Sequence, residues 1–401
     1  MASTKPTRCK VGDVLEVIVE KVVHGGHFIA RYNDAVIFLR HAIPGESCRV
    51  VITSAGATFN RGDVIEVLKP SIDRVMAPCS YAHRLGCGGC DFQHISLIRQ
   101  RQLKSSVIAE QFSRIAKMEL NVEVEEVSAP LHWRTRLTAT TTNDGKLGLY
   151  GARSHTVIPI DDCIVAVEAM KISELSARVW KGNTRVEICV GDSGERNIAL
   201  AATRGESKAR LTEGNQQLHH LVSGKVLEVS QDSFWQSHID APRVLVATVL
   251  EFAELRIGDQ VLDLYGGVGL FTAAMIEPVG VAGSVELIES SKSATMDAKR
   301  NFATYENIKV VRANVADYLP KISQAQVVIL DPPREGVGKT VVDQIVRLAP
   351  RAVVYVACDP ASLARDSAYF MQMGFSLAKI RAFDLFPMTH HIECVALYLP
   401  T

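Results

Sequence analysis

"VLDLYGGVGLF", residues 261–271, decides how the carboxy-terminal part of the chain folds. An apolar run of strand length carries Asp263 near its end, Gly266, Gly267 and Gly269 permit a sharp turn, and a helix-like segment follows. Outward from this stretch the pattern repeats. "GSVELIE", "IKVVRA", "AQVVILDPP", "RAVVYVACDP" and "ECVALYL" alternate with amphipathic segments of helix length. Such alternation is the signature of βα units on a mostly parallel sheet with both faces covered, so residues 230–401 are expected to form a Rossmann-like α/β domain.

Open α/β sheets bind ligands beyond the carboxyl ends of their strands. Asp263 offers a carboxylate there, and the glycines let backbone approach a ligand. Glu286 stands 17 residues past Gly269, about where a carboxylate grips a ribose diol, and Asn314 could bond an adenine edge. The blander reading is a tight turn with a surface acid, and the glycines do not complete G-x-G-x-x-G. "VVILDPPREG", 327–336, adds weight: two prolines rigidify the turn that holds Asp331 at the sheet's edge. Arg334 follows, where enzymes that methylate adenine amino groups place an aromatic residue. "VVYVACDPASLARD", 353–366, then puts Cys358 at a strand end instead of inside the apolar run, where a merely buried thiol would sit.

The chain has 401 residues, more than one core usually spans, so two or three domains are expected. Lys plus Arg and Asp plus Glu are both 44, so any nucleic-acid partner must be recognised by a local basic surface. The amino terminus lacks the apolar stretch of a secretory signal, and no apolar run is long enough to cross a membrane. A cytoplasmic protein is expected, its nine cysteines reduced. Residues 1–70 hold short strand-like runs between "HGGH", "PGE" and "RGD" turns, the pattern of a small β-barrel. Residues 71–229 read as a β-rich central module with a helical part near 93–120 that could pack on the catalytic domain.

Two features of that module point to ligands. "APCSYAHRLGCGGCDFQHI" contains Cys79, Cys87 and Cys90, with Cys163 a distant fourth thiol; four thiolates suit zinc or a 4Fe-4S cluster. Cys9, Cys48, Cys189 and Cys394 lack partners at such spacing and read as structural. "HWRTRLTATTTNDGKLGLYGARSH", 132–155, interleaves aromatic and basic side chains. Trp133, Arg134, Arg136 and Arg153 are candidates for stacking bases and meeting phosphates, though a solvated strand face explains any one of them as well.

Taken together, "LDLYGGVGLF", "LDPPREG", "ACDPASLARD" and "DLFPMTHHIECVAL" resemble the RNA uracil-5-methyltransferase family, S-adenosylmethionine-dependent enzymes that make 5-methyluridine. The resemblance extends over nearly the whole chain. It implies a class I methyltransferase domain, an amino-terminal TRAM barrel that binds RNA, and a 4Fe-4S cluster on Cys79, Cys87, Cys90 and Cys163. "SQDSFWQSH", 230–238, resembles the family segment whose Phe and Gln, here Phe234 and Gln236, help hold the cofactor alongside Asp263, Tyr265, Gly267, Gly269, Glu286, Asn314 and Asp331.

Cys358 matches the family's nucleophile, Glu393 its base, and Asp331 a positioning acid, with Arg365 a supporting partner. The expected reaction is methylation of carbon 5 of an unpaired or flipped uridine in 23S rRNA, with tRNA as the alternative, and no obligate protein partner is implied. A noncatalytic RNA-binding protein, a DNA cytosine-5-methyltransferase and a nicotinamide oxidoreductase are the rival readings. Two departures stand out. The family commonly has Ser-Cys-Asn-Pro at its nucleophile, whereas this chain has Ala357, Cys358, Asp359 and Pro360, and a carboxylate there opposes thiolate formation. The Cys79–Cys87 spacing is also two residues longer than the family form.

Overall fold

A computed structural model describes residues 9–203 and 208–401. Five strands close the amino-terminal barrel: β1 (Val14–Val23), β2 (His27–Tyr32), β3 (Ala35–Arg40), β4 (Ser47–Ala55) and β5 (Asn60–Lys69), in the order β1-β2-β3-β5-β4. Alternation puts Val17, Val19, Phe28, Ala30, Ile37, Leu39, Val50 and Ile52 inside. Strand β2, "HFIARY", is too polar to stand out in sequence and forms because the Gly25–Gly26 turn returns the chain onto β1.

Helix α1 (Leu97–Gln111) runs into a π-helical turn at Phe112–Ala116 and lies against the catalytic domain. Its Lys104 is buried and paired with Asp384 at 2.6 Å, with a second bond to the Phe386 carbonyl at 3.1 Å. A buried cation is tolerable only with such partners, so the pair pins α1 to the segment leading to residues 390–393. Strand β6 (Val124–Glu126) lies parallel beside the strand Phe375–Asp384 of the carboxy-terminal sheet, with Glu125 bonded to Arg381 at 2.8 and 2.7 Å. This piece of "EVEEV" thus joins the catalytic sheet, although its sequence reads as part of the central module.

That module's six-stranded sheet comprises β7 (Arg136–Thr141), β8 (Leu147–Tyr150), β9 (Val157–Pro159), β10 (Thr184–Val190), β11 (Arg196–Ala202) and β12 (Arg210–Glu213), with a short helix, α2 (Ile172–Ser176). It has its own apolar core of Leu137, Leu147, Met170, Leu175, Val186 and Ile188. A hairpin, β13 (Gln217–Val222) and β14 (Lys225–Ser230), leads onward.

The carboxy-terminal sheet contains β15 (Gln260–Leu264), β16 (Ser284–Glu289), β17 (Ile308–Arg312), β18 (Val327–Leu330), β19 (Ala352–Ala357), β20 (Phe375–Asp384) and β21 (Glu393–Pro400). Its order is β17-β16-β15-β18-β19-β21-β20-β6. The connecting helices are α3 (Ala241–Ala253), α4 (Leu270–Val279), α5 (Lys292–Asn301), α6 (Val315–Tyr318), α7 (Gly338–Arg347) and α8 (Pro360–Gln372). Strands β15 to β19 are mutually parallel, while β21 runs antiparallel between β19 and β20. The order reverses at β15 and β18, so the crevice beyond their carboxyl ends is the place for a ligand. Barrel, α1 and one face of this sheet share a continuous apolar core. Among the described residues, no helix is long and apolar enough to cross a membrane.

Candidate active site

At the end of β15 the chain must turn within three residues, so Tyr265 takes φ +61°, Gly267 φ +57° and Gly269 φ +100°. A Cβ on Gly269 would also overlap the Phe302 ring. Asp263 is buried at this turn. Its Oδ2 accepts from Thr272 N at 3.0 Å and Thr272 Oγ1 at 2.6 Å, while its Oδ1 is buried without a partner among the described residues. Burial pushes this carboxyl up to about 6.

Asp331, directly after β18, is pushed up to about 7 by burial and then by Asp263. Gln236 Nε2 donates to Asp331 Oδ2 at 3.2 Å. The Asp-Pro-Pro turn is held from below: Asp366 accepts from Val337 N at 2.8 Å and Gly338 N at 3.2 Å, and Arg365 donates to both Asp366 and the Glu335 carbonyl.

The carboxylate at the carboxyl end of β16 is Glu289, not Glu286. Glu289 accepts from Gly267 N at 3.1 Å and Ser291 N at 2.6 Å. Glu286, three residues earlier, is engaged by Lys309 at 2.7 Å and the Tyr318 hydroxyl at 2.7 Å. The sequence spacing measured from the glycines missed this because the strand ends later than its apolar centre; the last residue of "SVELIE" was the available signal. Asn314 lies at the end of the β17 segment and caps α6 through Ala316 N at 3.0 Å. Phe234 stands 65% exposed, whereas its neighbour Trp235 is buried and stacked on His220.

Cys358 follows β19, and Glu393 opens β21. The register pairs Ala357 with Cys394, which brings the thiol and the Glu393 carboxyl together across adjacent strand ends. Glu393 is buried, and burial followed by Asp331 holds its carboxyl well above the usual range, with Arg334 opposing. Cys358 is half-buried, its thiol pushed up to about 12 by burial, then by Glu393 and Asp331. Arg334 opposes this shift and lies 3.3 Å from His391 Nδ1. Asp359 contributes least to the shift, because its side chain is turned to cap α8 at Ala361 N and Ser362 N, 3.0 and 2.9 Å away. Above Cys358 lies a cavity of about 130 Å³ lined by His24, Gly25, Gly26, Lys104, Arg334, His390 and His391 among others. Sequence reading missed Arg334 and His24 as part of this site, since nothing local marks a contact with a residue far along the chain.

Cys79, Cys87, Cys90 and Cys163 line one small cavity, with Gly89 N 3.3 Å from the Cys87 sulfur. Burial raises the Cys87, Cys90 and Cys163 thiols, and the nearby Arg134 charge lowers all three. Among the described residues, no three Cys, His, Asp or Glu side chains are grouped to hold one metal ion. Cys9, Cys48, Cys189 and Cys394 are buried.

Three of the four residues expected to meet RNA point inward. Trp133 is 1% exposed and stacks on His238 at 5.6 Å. Arg134 lies over Trp133 at 5.0 Å and faces the thiols, while Arg136 is desolvated and donates to the Ser233 carbonyl at 2.6 Å. The strand-like run at Arg136–Thr141 was legible, but not that residues 233–238, Phe386 and the thiol cavity would cover these side chains. Arg153 is exposed and bonded to His27 on the barrel. Arg40 and Arg61 stand near it, and the three arginines together with burial lower His27 to about 4. None of the three forms an ion pair among the described residues, and Arg61 lies 5.2 Å over Phe59.

The sheet order, the switch-point carboxylates and the glycine turn define a class I methyltransferase domain behind a small barrel. A TRAM domain model matches residues 8–65, a tRNA (Uracil-5-)-methyltransferase model residues 317–400, and a protein-L-isoaspartate(D-aspartate) O-methyltransferase model residues 219–322. An uncharacterized RNA methyltransferase of Streptomyces avermitilis is 39% identical, over 97% of this chain and 99% of its own length. A 23S rRNA (uracil(1939)-C(5))-methyltransferase, RlmD, of Shewanella sp. is 28% identical, over 95% of this chain and 94% of its own. The fold is that of a Pyrococcus abyssi tRNA (uracil-54, C5)-methyltransferase solved with S-adenosyl-L-homocysteine: TM-score 0.72 and 22% identity, covering 96% of this chain and 99% of that one. The chain belongs to the RNA uracil-5-methyltransferase family, with a TRAM domain, and it is an S-adenosylmethionine-dependent RNA methyltransferase.

Proposed function

We propose that this enzyme methylates carbon 5 of one unpaired or flipped uridine in 23S rRNA through a covalent Cys358–uracil adduct. The observation that carries the reading is the meeting of the Cys358 thiol and the Glu393 carboxyl at neighbouring strand ends. The Cys358 thiolate adds to carbon 6 of the uracil, forming a C–S bond and making carbon 5 nucleophilic. After carbon 5 is methylated, Glu393 accepts its proton, the C–S bond breaks and the thiolate is restored. Arg334 supports the ionised states of Cys358 and Glu393, since its charge favours both anions.

Bound S-adenosylmethionine supplies an electrophilic methyl group. Asp263 and Asp331 fit the polar end of that cofactor: one has an unpartnered buried oxygen and both have raised affinity for protons, as acids awaiting a donor or cation would. Glu289 takes the place at the sheet edge that suits a ribose, and Gln236, Tyr265, Gly267, Gly269 and Asn314 complete the wall.

For the RNA, Arg40, Arg61 and Arg153 form the phosphate-facing surface, with Phe59, 39% exposed, as the stacking group. We further infer that Cys79, Cys87, Cys90 and Cys163 hold a 4Fe-4S cluster, since the four thiols line one cavity. Such a cluster would bond the loop 79–90 to residue 163 of the central module. A tRNA target is the second reading, favoured by the carboxy-terminal family model.

The test incubates the purified protein with methyl-labelled S-adenosylmethionine and total RNA lacking 5-methyluridine. Label mapping to one 23S uridine as 5-methyluridine is expected. Label confined to tRNA would transfer the assignment, and no 5-methyluridine in either would contradict it.

A further inference from the structure

The turn "HGGH", residues 24–27, joins β1 to β2 and forms a wall of the Cys358 cavity. Its backbone approaches so closely that a Cβ on Gly26 would lie 2.5 Å from Asp91 Oδ2 and 2.6 Å from the His390 ring. His24 Nε2 lies 2.6 Å from Asp359 Oδ2. A carboxylate only accepts, so Nε2 carries the proton. The other Asp359 oxygen accepts from Ala361 N and Ser362 N at the start of α8. Both oxygens beside the nucleophile are therefore engaged, one by the helix and one by the barrel.

We propose that His24 is a positioning residue for Cys358: donated by the barrel, it fixes Asp359 against the α8 terminus and offsets its charge, so that the adjacent thiol can ionise. This rests on the reading of Cys358 as nucleophile. An Asn after the nucleophile would leave no charge to offset; this chain has Asp359, and the barrel supplies the compensation. The groups facing the pair are consistent with that division of labour. His24 sees Asp359, which raises its proton affinity, and Arg334, which opposes. Asp359 is held low by His24 and the two backbone donors against burial. Cys358 faces Glu393, Asp331, Arg334 and Asp359, while Lys104, His390 and His391 line the same cavity.

The pH dependence of Cys358 alkylation by iodoacetamide, followed by peptide mass spectrometry in the full chain without RNA or cofactor, tests this. His24→Ala is expected to slow labelling at pH 7.5 by about threefold or more, moving the titration to higher pH. Asp359→Asn keeps a capping side chain, and should label faster than wild type. Adding His24→Ala to Asp359→Asn should then change nothing. Equal slowing by His24→Ala in both backgrounds would mean that the histidine only docks the barrel, and an unchanged titration in the single variant would also overturn the proposal. Methyl transfer is scored separately, so a working methyltransferase whose Cys358 ignores His24 sinks this proposal alone. Absent methylation with His24-dependent labelling sinks only the functional reading.

Discussion

In the mechanism we propose, Cys358 and Glu393 have opposite tasks within one turnover: the thiol must lose its proton to attack, and the carboxylate must take one later. Burial favours the protonated form of both, reinforced at the thiol by Glu393 and Asp331 and at the carboxyl by Asp331. Arg334 is the cation placed to reverse this. Glu393→Gln removes the base but not the nucleophile, so the variant should form the adduct with ordinary uridine RNA yet release product at least a hundredfold more slowly, about the range for loss of general base catalysis. A denaturing gel with labelled RNA would show the retained complex. The place of Cys358 at a strand end was legible in sequence, because the apolar run stops just before it. His24 was not, since its role depends on a contact across 335 positions of chain.

The parallel pairing of β15 with β18 brings Asp263 and Asp331 together at the sheet's edge, and their repulsion has a stability consequence. Burial and then Asp263 push the Asp331 carboxyl up to about 7 in the folded chain, from an ordinary value of 3.8. The fold therefore loses stability as pH rises from about 4 through 7, where only the folded form still holds that proton. Asp331→Asn should raise the Tm at pH 8, by on the order of a few kcal/mol of stability, with the gain vanishing toward pH 4. The same variant should lose S-adenosylmethionine binding by calorimetry. The strands themselves were plain in the apolar runs, and the Asp-Pro-Pro turn was plain from its prolines. Glu289 was obscured because counting from a glycine does not say where the neighbouring strand stops, and β6 because a three-residue strand has too little pattern to reveal its sheet.

The barrel, α1 and the catalytic sheet share one apolar core, so an RNA entering the Cys358 cavity would meet the barrel turn and α1 beside the catalytic domain. Trp133 and Arg134 looked like an RNA surface in sequence, yet they are consumed in packing against His238 and the thiol cavity. Basic and aromatic spacing cannot tell a solvent face from one covered by another module. Arg61→Gln with Arg153→Gln should weaken binding to any uridine-containing fragment and lower the salt slope by roughly 1 to 2, as two lost phosphate contacts require. Filter binding between about 50 and 200 mM salt measures it. An unchanged slope would place the RNA elsewhere.

The most direct measurement mixes the enzyme and S-adenosylmethionine with RNA carrying 5-fluorouridine at the mapped site, then determines intact and peptide mass under denaturing conditions. Fluorine blocks the proton removal that frees the thiol, so the RNA should remain bonded to the peptide containing Cys358, and Cys358→Ala should show no such species. An RNA–protein bond that persists in Cys358→Ala, or methylation that proceeds undiminished there, would contradict the assignment of that sulfur.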